Sequence, residues 1–310
     1  MLDAQRLVVL VEVAHAGSIA AAAQRLAFTP SAVSQQLGKL ERDLDARLLD
    51  RHPRGVSLTA IGQALLVHAE KVVGELRAAE QTVHALLDTH PAHLAVGAFA
   101  SAGATLVPQM LAQFRRAHPS VALTLLDLEP PDGYGLVSSR DLDVLITHRY
   151  PGVPLPDRRG LHCQLLMKDT LRLVLPTEHP HALDGRVTLA QLADEEWISG
   201  SHGVPNRICL QQLARAAGID PRVAYETCDY QVTLALIEAG LGIALVPTSV
   251  LDHTSNAGLA IKQLTGTAPA REVYLVHHSH PSTLVTDMIQ QLRPARDEAG
   301  LSQRPATDIP

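Results

Sequence analysis

The chain has 310 residues, 46% hydrophobic and 19% charged, with a net charge of −6; that length exceeds one ordinary core and predicts two or three soluble globular domains. An acidic total excludes a uniformly basic protein, so any nucleic-acid surface must be local to one segment. Three cysteines, Cys163, Cys209 and Cys228, without a CxxC pair exclude a zinc ribbon or a disulfide framework, and no cofactor is expected.

The first residues lack a basic stretch followed by an apolar one, the pattern of a secretory leader. The longest apolar run, 234–247, is broken by Glu238, Gly240 and Gly242 and is too short to span a bilayer. The expectation is a reduced, cytoplasmic protein with no membrane partner.

Residues 2–88 read almost wholly as helix. Ser18 precedes the small-residue run 19–26 as an N-cap. After a three-residue turn, Thr29-Pro30-Ser31 supplies a cap, a proline at the first helical position and a polar second position. In the helix that follows, Val33, Leu37, Leu40 and Leu44 form one stripe expected to be buried. Ser31, Ser34, Gln35 and Lys39 lie off it, and serine and glutamine on the first turns of a helix can read base edges in the major groove of double-stranded DNA. Residues 48–59 read as a hairpin, a wing that would bring Arg51 and Arg54 to the DNA backbone or minor groove. Between Gln24 and Thr59 six basic residues face four acidic ones, a net of +2, so binding needs a dimer to be useful. The next helix, 60–88, carries Ile61, Leu65, Val72, Leu76 and Val83 at spacings of four and seven, a seam expected to pair with its twin.

Near Pro91 the composition shifts. From 93 to about 293, short β-rich runs (93–99, 121–128, 143–147, 163–167, 171–176, 196–199, 223–226, 243–246, 260–264 and 273–277) alternate with helical stretches (103–117, 189–193, 206–217, 230–239 and 281–292). This predicts a largely parallel α/β domain of two lobes, about 91–160 with 268–293 and about 161–267, the last strand and helix returning to the first lobe. The tail 294–310, with three prolines and no periodicity, is expected to be disordered. The overall expectation is α plus α/β: a winged helix-turn-helix over 1–59, a linker and dimerisation helix over 60–88, and a two-lobed domain over 91–293.

The residues Gly17-Ser18-Ile19, Ala21-Ala22-Ala23, Leu26, Thr29 through Ser34, Leu37, Leu40-Glu41, Leu48 through Arg51, and Leu58-Thr59-Ala60 with Gly62 resemble the N-terminal signature of LysR-type transcriptional regulators. Downstream, Leu94 through Gly97, Leu106-Val107-Pro108, Leu142-Asp143 and Gly240 through Ile243 resemble that family's effector-binding domain, which is similar to periplasmic binding proteins. Val9, where the family usually has Phe, and Ser138-Ser139-Arg140, where it commonly has a glycine, depart from the pattern. The resemblance implies a DNA-binding transcription regulator and no enzyme, a homodimer through the linker helix, and a homotetramer that bends its promoter.

In that architecture ligands sit at strand C-termini between lobes. Ser101, Gly103 and Thr105 would open a helix whose free N–H groups favour an anion. Thr147 and His148 end a second strand, Ser199 and Ser201 a third, and Tyr230 starts a helix at the same cleft. The effector is therefore expected to be a small anionic or polar molecule. His278 and His280 could share one strand face, but two histidines make no metal site and none is expected. Cys209 and Cys228 offer an alternative reading as the pair of a cytoplasmic redox-sensing regulator, and a small-molecule-binding enzyme is the remaining one.

Overall fold

The computed structural model describes residues 2–52, 55–87, 92–150, 153, 160–266 and 268–291. Arg54, the boundary at Pro91 and the tail 294–310 lie outside the described residues, as does the side chain of Arg51.

The N-terminal unit runs α1 (Ala4–Ala16), α2 (Ile19–Arg25), α3 (Pro30–Leu44), β1 (Leu49–His52), β2 (Gly55–Leu58) and α4 (Ala60–Leu87), with β1 and β2 paired antiparallel as the wing. The caps are as local chemistry dictates: Ser18 Oγ accepts from the Ala21 N–H at 3.2 Å and Thr29 Oγ1 from the Ala32 N–H at 3.2 Å. Val11, Ala22, Val33, Leu37, Leu40 and Leu48 close the core; each large aliphatic side chain taken from water contributes roughly 1.5–3 kcal/mol. Leu44, expected on the buried stripe, is instead exposed, because α3 stops there with Asp45 in the left-handed region at φ 48°. Gly62 lets α4 start against the wing: a Cβ there would sit 2.1 Å from the Leu48 carbonyl oxygen.

The rest runs β3 (His93–Ala98), α5 (Ala100–Thr105), α6 (Val107–Ala117), β4 (Ala122–Asp127), α7 (Tyr134–Ser138), β5 (Val144–Arg149), β6 (Leu161–Pro176), β7 (Arg186–Val187), a 3-10 turn (Leu189–Leu192), β8 (Glu196–Ser199), α8 (Pro205–Ala216), β9 (Arg222–Glu226), α9 (Tyr230–Glu238), β10 (Ala244–Pro247), α10 (Thr248–Leu251), β11 (Leu259–Leu264), β12 (Ala270–His278) and α11 (Thr283–Gln291). Three expectations change. The single helix over 103–117 is two, since Pro108 in the first turn of α6 lacks the N–H a continuous helix needs. The strands expected at 163–167 and 171–176 are one long strand, β6. And the sheet is mixed rather than largely parallel: β3 pairs parallel with β4 and β5, but β12 pairs antiparallel with β5 and β6, and β10 and β11 pair antiparallel with β6.

The long β6 makes two lobes from one sheet path. Its residues through Thr170 pair with β12 in the first lobe, and from Leu171 onward they pair with β10 and β11 in the second. Leu94, Val96, Phe114, Ile146, Leu275 and Met288 fill the first lobe; Leu173, Leu175, Trp197, Leu210 and Ile243 fill the second.

The N-terminal unit docks on the first lobe through a polar patch. Arg77 of α4 donates from Nη1 to the Ser139 carbonyl at 2.8 Å and from Nη2 to Glu12 Oε1 at 3.1 Å, and its Nη1 pairs with Asp141. His15 Nδ1 lies 3.9 Å from Asp141 Oδ2, while within the N-terminal unit its Nε2 meets Glu70 at 2.9 Å. Gly74 is the contact point: an added Cβ would lie 2.3 Å from the Ser138 carbonyl oxygen. Gly74→Val is therefore expected to force α7 off α4 and to weaken this contact by about 1–3 kcal/mol, the usual range for overpacking. The check is faster tryptic cleavage after Arg77, the one Lys or Arg between residues 77 and 92, than in the parent; unchanged cleavage would refute the close packing.

Candidate functional site

The exposed face of α3 is set by its buried one. With Val33, Leu37 and Leu40 inward, Ser31, Gln35, Lys39 and Arg42 recur on the opposite side and are all exposed; Ser34 lies at the margin, half-buried. Pro30 and Thr29 lead into this face, and the Thr29 and Ser31 hydroxyls lie 2.9 Å apart. Ser18 is spent on its cap. Two acids counted in the sequence do not oppose this surface: Glu41 accepts from the Leu48 and Leu49 N–H groups, and Asp43 pairs with Arg6 of α1. The face is thus more basic than the segment's net charge indicates, and it offers donors to base edges and phosphates.

Along α4 the expected seam is open to solvent at four of its five positions, while Leu65, expected on it, instead packs half-buried against the N-terminal core. Ile61, Val72, Leu76 and Val83 are exposed at 55%, 42%, 45% and 52%, while Ala69 and Val73 on the other side are buried against the N-terminal core.

Between the lobes lies a cavity of about 580 Å³, inside the size range of small-molecule sites. Ser101, Thr105, Asp127, Glu129, Asp229 and Tyr230 line it, among others. It narrows into two tight recesses, one reaching His148, Tyr150, Asn206 and Arg271, the other Ser199 and Asn206. Of the residues expected here, Ser101, Thr105, His148, Ser199 and Tyr230 meet at this cleft. Gly103, Thr147 and Ser201 do not line it. The Gly103 N–H is bound to the Phe99 carbonyl inside the helix, and Thr147 is 1% exposed. Thr147 and His148 are strand neighbours and point to opposite faces, so only one could face the cleft.

At the helix start expected to hold an anion, the first N–H is taken by the protein's own carboxylate. The Ala100 N–H donates to Glu129 Oε1 at 3.3 Å, and the Thr105 hydroxyl donates back to the Ser101 carbonyl. Burial works to raise the Glu129 carboxyl, but His148 beside it and the Ala100 N–H outweigh that and hold it below the usual range. Burial pushes the His148 imidazole below its usual range, leaving it neutral at neutral pH.

Glu129, Arg271, Tyr150 and Asn206 carry no sequence signal for this cleft. Arg271 is 2% exposed, donates from Nε to Asp169 Oδ2 at 3.0 Å, and sits 4.9 Å from the Phe99 ring centroid. Tyr150 and Tyr230 bring their hydroxyls within 3.4 Å of each other.

The histidine and cysteine alternatives find little support. His278 Nδ1 lies 3.3 Å from Arg140 Nη2 and accepts the His280 N–H, and no group of three metal-ligating side chains occurs among the described residues. Burial pushes the Cys209 thiol up to about 11 and raises Cys228 as well. Neither is poised as a thiolate at neutral pH.

Residues 4–63 match the family model described as bacterial regulatory helix-turn-helix protein, lysR family, and residues 88–297 match the LysR substrate binding domain. The regulator CbbR of Xanthobacter flavus is 30% identical over 272 residues, covering 86% of this chain and 79% of that protein. GltC of Bacillus subtilis, named a transcriptional dual regulator, is 26% identical over 73% of this chain and 74% of its own length. Among solved structures, a full-length OxyR variant from Pseudomonas aeruginosa superposes with a TM-score of 0.65 at 20% identity, covering 95% of this chain and 94% of that one. Full-length CbnR in complex with its target DNA gives 0.54 at 23% identity, covering 95% and 100%.

Proposed function

Because this chain belongs to the LysR family of bacterial regulatory proteins, we propose that it reads promoter DNA through α3 and the wing and answers to a small metabolite held between its lobes. The observation that carries the reading is the face of α3, where Ser31, Gln35, Lys39 and Arg42 stand exposed over a sealed apolar stripe. Arg51 and Arg54 of the wing are proposed to reach the flanking backbone. The exposed seam on α4 supports a homodimer, and two dimers in a homotetramer would grip two half-sites on one face of the duplex. The names of the relatives support a regulator and not an enzyme. No described helix is long and apolar enough to cross a membrane, and a reader of promoter DNA works in the cytoplasm.

The test is to map the protein's binding sites across the genome and then measure affinity for a mapped operator. Gln35→Ala is expected to weaken operator binding by about 1–3 kcal/mol, roughly 5- to 150-fold, while leaving binding to random duplex unchanged. Equal loss on both DNAs would remove Gln35 from base readout. Operator binding that survives deletion of residues 1–90 would overturn the whole reading.

A further inference from the structure

The charged side chains that line the interlobe cleft are mostly acidic. Among the described residues lining the cavity and its recesses, Arg271 is the one Arg or Lys, and it is paired with Asp169, to which Nη2 also reaches at 2.9 Å. Against it stand three carboxylates, Asp127, Glu129 and Asp229, although Asp229 Oδ1 also caps α9 by accepting from the Gln231 N–H. The hydroxyl of Thr105 and the first N–H of α5 are already used within the protein.

Two further acceptors are left without partners. The His148 side chain is 6% exposed, lines the recess beside Glu129, and its Nδ1 finds no hydrogen-bond partner. With its Nε2 3.6 Å from Glu129 Oε2, the neutral ring carries its proton on that side and leaves Nδ1 as an acceptor. Asn206 Oδ1, on the wall of both recesses, is likewise buried without a donor. A buried acceptor without a donor is destabilising, and a ligand bringing N–H groups would relieve it.

Taking the cleft as the effector site, as proposed above, the geometry points to an effector that carries a protonated amine, an ammonium or guanidinium seated at Glu129, which lines both the cavity with Asp127 and the recess with His148 and Asn206. The ring of Tyr230, on the wall of the cavity and both recesses, supplies an aromatic face of the kind that favours cations.

Isothermal titration calorimetry on the full-length protein would compare 1,4-diaminobutane, lysine and arginine with succinate and glutarate as size-matched dianions. At least one amine is expected to bind at least tenfold more tightly than either dicarboxylate. Glu129→Gln should remove that preference and Glu129→Asp should restore part of it, with the melting temperature of each variant checking that it folds. Tighter dicarboxylate binding, no binding by any amine, or an amine affinity indifferent to Glu129→Gln would overturn the inference. Operator binding by the unliganded parent protein, measured on the same preparation, tests the regulator reading separately.

Discussion

Arg271→Leu is expected to lower the stability of the two-lobed domain by about 3–5 kcal/mol, the cost of leaving one partner of a buried ion pair uncompensated. Asp169 and Arg271 have side chains 1% and 2% exposed and are register partners on β6 and β12. Without the guanidinium, the Asp169 carboxylate keeps only Ser249, whose hydroxyl and N–H donate to it at 2.7 and 3.1 Å. Asp169→Leu combined with Arg271→Leu should cost much less than the two single changes added, since an apolar pair buries no charge. Urea unfolding of all four proteins gives the coupling energy directly, and additive losses would sink the account. The position matters as much as the magnitude. The pair lies one residue from the point where β6 passes from the first lobe to the second, and it is tied to α10 there through Ser249, next to the bond from the Thr248 hydroxyl to the Thr170 carbonyl. It braces the passage between the lobes, so Arg271→Leu should also loosen their relative setting and blunt any response to effector.

Why the sequence revealed the N-terminal unit so fully and the cleft so partially follows from the range of the interactions involved. Ser18 and Thr29 act on backbone N–H groups three residues away, and Val33, Leu37 and Leu40 share a stripe through helical period alone. Such signals lie within one window of sequence. Leu44 defeats the period because the helix ends beneath it, a boundary that periodicity does not mark. The cleft depends on pairs that are remote along the chain. Lys168-Asp169-Thr170 looks like a polar break between two strands, yet Asp169 is satisfied by Arg271, 102 residues on, and β6 runs straight through. Glu129 reads as a surface acid before two prolines until the fold sets it against the Ala100 N–H and His148. The same contact supplies the protein's own carboxylate to the first N–H of α5, which sequence alone does not show. By contrast, the opposite facing of Thr147 and His148 follows from strand alternation alone.

The seam of α4 yields the other large effect, and its two faces make the test a controlled one. Val72 and Val73 are neighbours, yet the first is 42% exposed and the second 2%. Val73→Asp puts a carboxylate into the core shared with Leu10 and Leu37, and an unpaired charge there should unfold the N-terminal unit. Val72→Asp with Leu76→Asp changes only side chains that one protomer leaves in water, so the protomer should keep its fold and its melting temperature. What it should lose is its twin, because four carboxylates would face one another across a pairing that apolar burial sustains. Sedimentation equilibrium should then report a monomer. The DNA consequence follows from valence: with two α3 faces linked, the second half-site is bound from a high effective concentration, and losing that link should weaken operator binding by about 10²- to 10⁴-fold. A doubly substituted protein that stays dimeric would place the interface elsewhere, and a monomer that still binds its operator tightly would show that one copy reads the site unaided.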